Sequence, residues 1–128
     1  DGWGIARLKE AGIEVIVLST EANPVVAARC RKLGIGYRQA LESKEAALAE
    51  LVKTRGLTMQ QVAYAGNDVN DLGCMRRAGV SVAVPDAHPE VRRAARLVLS
   101  YPGGHGAVRE LCDLILVHRQ RAGRESGA

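Results

Sequence analysis

Aromatic residues are scarce in this chain of 128 residues, which contains no phenylalanine, one tryptophan and three tyrosines. Valine, leucine, isoleucine and alanine therefore supply most of its apolar fraction of 47%, an ordinary value for a globular protein. Such residues suit parallel strands that are buried on both faces. The length excludes two full-sized domains but suffices for one hydrophobic core.

A large excess of charge of one sign is also missing. The net charge is only +4, and several basic residues lie in 118–128, which we expect to form a basic flexible tail after a folded unit at 1–117. No basic helix face is interleaved with aromatic residues, so nucleic acid is not an expected partner. No apolar run approaches the length of a membrane span, and the first residues do not resemble a signal peptide, so no membrane contact is expected.

The cysteines are few and far apart in the sequence, at Cys30, Cys74 and Cys112. None of their spacings fits a metal site or a redox motif. We expect three buried thiols in a reducing compartment, which indicates a cytoplasmic protein.

Helix and strand signals alternate along the chain, which predicts an α/β fold with a parallel sheet, helices on both faces and right-handed crossovers. In such sheets ligands bind beyond the carboxyl ends of the strands. We therefore expect the residues that follow the strands to converge on one edge. Strands are predicted at 13–18, 35–38, 62–65, 80–84 and 97–99, and helices at 4–11, 24–33, 43–54, 70–78, 89–95 and 106–117.

A cluster of asparagine and aspartate residues follows the buried strand predicted at 62–65, in the segment Gly-Asn-Asp-Val-Asn-Asp at 66–71. Asp68 and Asp71 are hard oxygen ligands of the kind that Mg²⁺ prefers, with water and substrate phosphate completing the octahedron. The alternative is a turn that caps the next helix, since Asn and Asp are favoured in both places.

Three further residues at strand ends suit an anionic ligand. Ser19 and Thr20 supply hydroxyls that can hold a phosphate, or that simply cap a loop. Lys44 lies in the first turn of its helix, where a cation opposes the helix dipole. It is either compensated by Glu42 and Glu45 or held for an anion. A hydroxyl, a lysine and a pair of carboxylates together suit phosphoryl transfer.

In this order the residues resemble three motifs of the haloacid dehalogenase superfamily of phosphatases. Leu-Ser-Thr at 18–20 resembles its second motif, Lys44 its third, and 66–71 its fourth. More narrowly, the chain is similar to the capless 3-deoxy-manno-octulosonate 8-phosphate phosphatases and to the related domain fused to acylneuraminate cytidylyltransferases. That similarity is carried by residues 1–5, 18–21, 23–29, 86–89 and 103–110.

The resemblance implies a capless three-layer αβα, Rossmann-like fold and a magnesium-dependent phosphomonoesterase that acts on a sugar-acid phosphate. Lys44 would stabilise the phosphoryl group and Ser19 or Thr20 would hydrogen-bond it. Asp68 would bind magnesium and Asp71 would support that site. The related phosphatases form tetramers, so a homotetramer is expected.

Three residues are candidate substrate contacts: Asn67, His88 and Arg109. His88 follows a strand in a loop that should face the site, or it has a structural role in which Asp86 caps the next helix. In the resembling tetramers the C-terminal region reaches a neighbour's site, so Arg109 is a candidate anion contact in trans. Its alternative is a salt bridge with Glu110 or Asp113.

One family motif is missing. The superfamily uses an aspartate nucleophile in a D-x-D motif, on a first and central strand between those that hold Ser19 and Asp68, and a second aspartate two residues later as acid and base. The 128 residues contain no D-x-D. We expect the chain to be part of a longer one, inactive and marginally folded alone because two strand edges lose their shared partner.

Two other functions compete with a phosphatase. The chain could be a non-catalytic oligomerisation or regulatory domain of a cytidylyltransferase. A two-component receiver domain also uses aspartate, hydroxyl and lysine on a parallel sheet, but there the lysine comes near the end, whereas Lys44 precedes the carboxylates. The sequence does not identify the sugar acid.

Overall fold

The computed structural model describes residues 2–103 and 106–127, and here strands and helices alternate as the sequence predicts. Short 3₁₀ turns at Met59–Gln61 and Val69–Asp71 add to them. The strands are β1 (Ile16–Leu18), β2 (Gly36–Arg38), β3 (Ala63–Gly66), β4 (Val80–Ala83) and β5 (Leu97–Val98). The helices are α1 (Gly2–Glu10), α2 (Pro24–Leu33), α3 (Lys44–Thr54), α4 (Leu72–Arg77), α5 (Pro89–Ala94) and α6 (Ala107–Gly127).

The strands pair in parallel but form two separate sheets. β1 pairs with β2, Ile16 lying opposite Gly36, and β3, β4 and β5 form the second sheet in that order. Among the described residues no strand joins β1 to β3, so each has an edge without a partner strand. This division agrees with the expectation that these two strands lack a shared partner.

Helices cover both faces of the larger sheet, as a three-layer fold requires. Successive residues of β4 enter different cores, because side chains alternate along a strand. Ala83 packs in a core with residues of α3, α4 and α5, whereas Val82 packs with Ala107 of α6. The predicted αβα architecture is therefore confirmed.

Helix boundaries near the strand ends are set by capping residues. Asn23 accepts a hydrogen bond from Val25 N–H, and α2 ends at Gly34, whose φ of 69° is left-handed. Ser43 accepts a bond from Ala46 N–H at 3.1 Å, which fixes the start of α3 at Lys44. An N-cap that satisfies one of the first free N–H groups typically contributes about 1 kcal/mol.

The structure departs from the sequence predictions at the end of α6 and in the burial of β3. The closing helix does not end at Val117 but continues to Gly127, since Arg, Gln, Ala and Glu in this segment favour helix. The strand at 62–65 was expected to be buried, yet Ala63 and Ala65 are exposed while Tyr64 and Gly66 are buried. Side chains alternate between the two faces of a strand, so Ala63 and Ala65 share the face opposite to that of Tyr64.

All three cysteines are free and buried, as predicted. In the described part of the chain no helix combines the length and the apolarity that crossing a bilayer requires.

Candidate active site

The carboxyl end of β3 carries the centre of the candidate site. The chain leaves β3 at Gly66 and passes through Asn67 and Asp68 into the 3₁₀ turn Val69–Asp71. The end of β1 lies against the same core, because Leu18 packs on the cluster that includes Leu48 and Tyr64. The expected convergence of strand ends on one edge is thus supported at β1 and β3.

Asp71 is the most highly coordinated polar group of this edge. Its Oδ1 accepts hydrogen bonds from Tyr64 Oη at 2.6 Å and from Lys44 Nζ at 3.0 Å. Its Oδ2 accepts bonds from the backbone N–H groups of Asn67 at 3.0 Å and Asp68 at 3.2 Å. A carboxylate offers about four acceptor positions, so this side chain is fully occupied.

The surroundings of Asp71 keep its carboxylate charged. Burial, which leaves the residue 3% exposed, by itself raises the pKa of Asp71. The hydrogen bonds from Tyr64, the Asn67 N–H, Lys44 and the Asp68 N–H act in the opposite direction, and the resulting pKa lies below the ordinary value of 3.8. Burial also raises the pKa of Tyr64, with Asp71 adding to the effect, so this phenol stays protonated.

Lys44 reaches Asp71 from the first turn of α3. The side chains of both residues are largely buried, with exposed fractions of 11% and 4%. The sequence left open whether Lys44 is compensated by Glu42 and Glu45 or held for an anion. In the structure its ion-pair partner is Asp71 instead, 27 residues away in sequence.

Asp68 presents its carboxylate differently. It is exposed, and Oδ1 accepts a bond from Val69 N–H at 2.7 Å. Asp68 and Asp71 form a reciprocal capping box at the 3₁₀ turn. The capping interpretation of the segment 66–71 is therefore confirmed, and Asp68 faces solvent at the strand end.

Gly66 allows this close packing. A Cβ at this position would lie 2.6 Å from Asp71 Cβ and 2.8 Å from Met75 Sδ. Any side chain would push Asp71 away from the loop whose N–H groups it accepts, so the glycine is required by contact rather than by its backbone angle.

Ser19 directly follows β1 and is hydrogen-bonded to the end of β2 and to the loop after it. Its backbone N–H donates to Arg38 O at 2.9 Å, and its carbonyl accepts from Leu41 N–H at 3.1 Å. Its Oγ accepts from Glu21 N–H at 3.0 Å, which leaves the hydroxyl proton available as a donor. Thr20 follows in an exposed bend.

His88 is joined to the site through Asn67, whose carbonyl accepts from the His88 N–H at 3.0 Å. The expectation that Asp86 caps α5 is wrong: the cap is His88, whose Nδ1 accepts from Glu90 N–H at 3.1 Å. The imidazole thus reaches the N–H two residues on, and Pro89 occupies the first helical position. An Nδ1 that accepts places the proton of the neutral ring on Nε2.

Arg109 contacts another part of the molecule. Its guanidinium lies over the Trp3 ring, 3.9 Å from the centroid, and its Nε is 3.5 Å from Asp113 Oδ2. The ring contact joins α6 to α1, and the ion pair within α6 matches the expected salt bridge with Asp113. Residues 104 and 105 of the preceding glycine-rich segment lie outside the described residues.

The donor set fits a magnesium ion only in part. Within the described residues no group of three His, Cys, Asp or Glu side chains could hold a metal. Because Asp71 is fully hydrogen-bonded, Asp68 is the carboxylate with an oxygen to offer. Magnesium usually takes one or two carboxylates together with waters and phosphate oxygens, so Asp68 suits one position of such a shell.

Sequence reasoning missed Tyr64. A tyrosine hydroxyl inside a short apolar strand was the available signal, because a buried phenol normally has a hydrogen-bond partner. Here that partner is Asp71.

Comparison with known proteins identifies the family of this chain. A model of the haloacid dehalogenase-like hydrolases matches residues 40–111, the span that holds Lys44, Asp68 and Asp71. The chain belongs to this family. Its relatives include the curated 3-deoxy-D-manno-octulosonate 8-phosphate phosphatase KdsC of Escherichia coli, 37% identical over 128 residues, which are 99% of this chain and 68% of that protein.

Two solved structures of haloacid dehalogenase-like relatives share the fold. The cobalt-bound deoxy-D-mannose-octulosonate 8-phosphate phosphatase of Haemophilus influenzae is 42% identical, with a TM-score of 0.85, over 90% of this chain and 68% of that one. The phosphatase from Moraxella catarrhalis, in complex with magnesium, phosphate and KDO, is 32% identical, with a TM-score of 0.88, over 99% of this chain and 75% of that one.

Proposed function

We propose that this member of the haloacid dehalogenase-like hydrolases provides most of the active site of a magnesium-dependent phosphomonoesterase for a sugar-acid phosphate. The observation that carries the proposal is the buried Lys44–Asp71 pair beside the exposed Asp68 at the carboxyl end of β3. It supplies a cation and an acidic oxygen where ligands of parallel sheets bind.

Each residue has one task. Lys44, held by its ion pair with Asp71, neutralises the oxygens of the phosphoryl group. The Ser19 hydroxyl, whose oxygen already accepts from Glu21, donates its proton to the same group, and Thr20 offers a second hydroxyl. Asp68 is the candidate metal ligand, while Asp71 supports the site without facing the metal.

A bound Mg²⁺ would supply positive charge at the phosphoryl oxygens. This chain's own contribution is to hold Asp68 at the turn by the capping box and to keep the loop 67–71 in place through Asp71.

The substrate class follows from the relatives. KdsC and the two structural relatives bear the name of an octulosonate 8-phosphate phosphatase, and one is a complex with phosphate and KDO. We propose 3-deoxy-octulosonate 8-phosphate or a sialic-acid-type phosphate as substrate. Asn67 and His88, joined backbone to backbone, are the candidate contacts to its sugar portion.

Other aspects remain predictions. They are the homotetramer, a contact from Arg109 in trans, the flexible tail and the cytoplasmic location. The alternative of a non-catalytic cytidylyltransferase domain gains no support from the relatives named above.

The test uses the coding sequence upstream of Asp1. If it encodes a D-x-D strand, the encoded protein should release phosphate from 3-deoxy-octulosonate 8-phosphate with magnesium, whereas its Lys44→Ala variant should lose most activity. An upstream nucleotidyltransferase domain without D-x-D would instead favour the non-catalytic alternative. We expect the 128-residue chain alone to show no robust turnover, because it lacks a D-x-D nucleophile.

A further inference from the structure

We propose that Tyr64 is a positioning residue of this site, which holds Asp71 so that Asp71 in turn holds Lys44. The inference deepens the proposed function and rests on it for its meaning in catalysis. The contacts themselves stand on the structure alone: Tyr64 Oη lies 2.6 Å from the same Asp71 oxygen that accepts from Lys44 Nζ at 3.0 Å.

Tyr64 fixes which way the Asp71 carboxylate points. Two backbone N–H groups hold Oδ2 on the loop side, and Tyr64 and Lys44 share Oδ1 on the other. Without the phenol, Oδ1 would keep Lys44 as its one partner, and a buried acceptor position would be unfilled. Such a position is costly, and the group can recover it only by moving or by admitting water.

Tyr64 is well placed for this task because its own position is rigid. It lies in the middle of β3, paired with Ser81 of β4, and 9% of the residue is exposed. Its ring packs in the core cluster with Leu48, Cys74 and Met75. A hydroxyl on a side chain locked by packing holds its partner more precisely than one on a loop.

Lys44 has no comparable anchor of its own. It is the first residue of α3, and its long flexible side chain ends at Asp71. The position of its ammonium therefore depends on how firmly the Asp71 carboxylate is held. Packing in the core therefore fixes Tyr64, Tyr64 fixes the carboxylate of Asp71, and Asp71 positions the Lys44 ammonium that contacts the phosphoryl group.

Tyr64→Phe removes the hydroxyl and keeps the ring. Tyr37→Phe is the matched control, since Tyr37 Oη also takes part in a hydrogen bond, with Arg31 Nη1 at 2.9 Å, but away from this site. Two readouts are measured on the protein encoded together with its upstream sequence. One is the hydrogen exchange of the Lys44 ammonium, observed by NMR on isotope-labelled protein, and the other is the affinity for inorganic phosphate.

The proposal expects faster exchange of the Lys44 ammonium and roughly tenfold weaker phosphate binding, equivalent to about 1.4 kcal/mol, in Tyr64→Phe but not in Tyr37→Phe. In an Asp71→Asn background, Tyr64→Phe should have little further effect on either readout, because the two residues act in series. A purely structural Tyr64 would lower thermal stability without this dependence on Asp71.

Unchanged Lys44 exchange in a folded Tyr64→Phe variant would overturn the inference. If that variant does not fold, the hydroxyl proton of Tyr64 in the unmodified protein decides: slow exchange supports the fixed contact with Asp71, and rapid exchange contradicts it. If the proposed function is wrong and the inference is right, the result is a different one. The unmodified protein then binds no phosphate, whereas Tyr64→Phe still accelerates the exchange of the Lys44 ammonium.

Discussion

Lys44 and Asp71 form a buried ion pair, with Nζ 3.0 Å from Oδ1, between the start of α3 and the turn that follows β3. The pair connects two segments that are far apart in sequence and sets the charge at the carboxyl end of β3. Removing one partner of such a pair leaves the other as an uncompensated buried charge, which costs far more than breaking an exposed ion pair.

Asp71→Asn should lower the free energy of unfolding at neutral pH by about 3 kcal/mol, because Lys44 then loses its anionic partner. Asp113→Asn is the control: the side chain of Asp113 is 48% exposed, and its contacts with Arg7 and Arg109 are long. Urea unfolding monitored by circular dichroism measures both variants. Equal losses would contradict the importance given to the Asp71 network.

The stabilisation from Asp71 should disappear in acid. Because the pKa of its carboxyl is lower in the folded chain than the ordinary value of 3.8, this contribution is complete above that value. It is lost as the pH falls through the lower folded pKa. Unfolding curves at a series of pH values should show the difference between the unmodified chain and Asp71→Asn shrinking below about pH 4. A constant difference down to about pH 2 would show that Asp71 does not titrate as described.

Gly66→Ala should destabilise the chain by about 1–3 kcal/mol, as overpacked cores do. The new Cβ would lie 2.6 Å from Asp71 Cβ, and neither atom belongs to a flexible side-chain end. Gly103→Ala is the matched control, since a Cβ there meets nothing within 4 Å. Thermal unfolding of both variants is the measurement, and a Gly66→Ala protein as stable as Gly103→Ala would refute the close contact.

His88→Ala should cost about 1 kcal/mol through loss of the α5 cap, whereas His88→Asn should keep the stability because Asn is a strong N-cap. The pair of variants also separates capping from ligand contact, since Asn removes the Nε2 donor. If phosphorylated sugar acid binds more weakly to His88→Asn at unchanged stability, the imidazole contacts the ligand. Equal destabilisation by Ala and Asn would argue against His88 as the cap.

Local signals in the sequence predicted most of the fold. Asn23 and Gly34 bound α2, and Ser43 opens α3, because caps act through neighbouring backbone groups. The helix α6 continues beyond its predicted end at Val117. No glycine or proline follows Val117 until Gly123, and residues such as Arg and Glu allow the helix to continue. Local patterns predict a strand at 62–65 but not which elements cover its faces, so they do not predict the exposure of Ala63 and Ala65.

The site was predictable in its residues but less so in their partners. Strand ends identified Lys44, Asp68 and Asp71, because parallel sheets bring such positions together. That Lys44 pairs with Asp71 instead of its neighbours Glu42 and Glu45 is a tertiary result. The capping role of His88 was assigned to Asp86 because Asp is the commoner N-cap, and the sequence does not show which side chain reaches Glu90 N–H.

The most direct test is phosphate release from 3-deoxy-octulosonate 8-phosphate by the protein encoded with its upstream sequence, in the presence of magnesium. The account predicts turnover that depends on the metal and is nearly abolished by Lys44→Ala and by Asp68→Asn. Asp113→Asn should leave it unchanged. A D-x-D-bearing protein that binds this substrate but releases no phosphate, or turnover that is indifferent to Lys44 and Asp68, would contradict it.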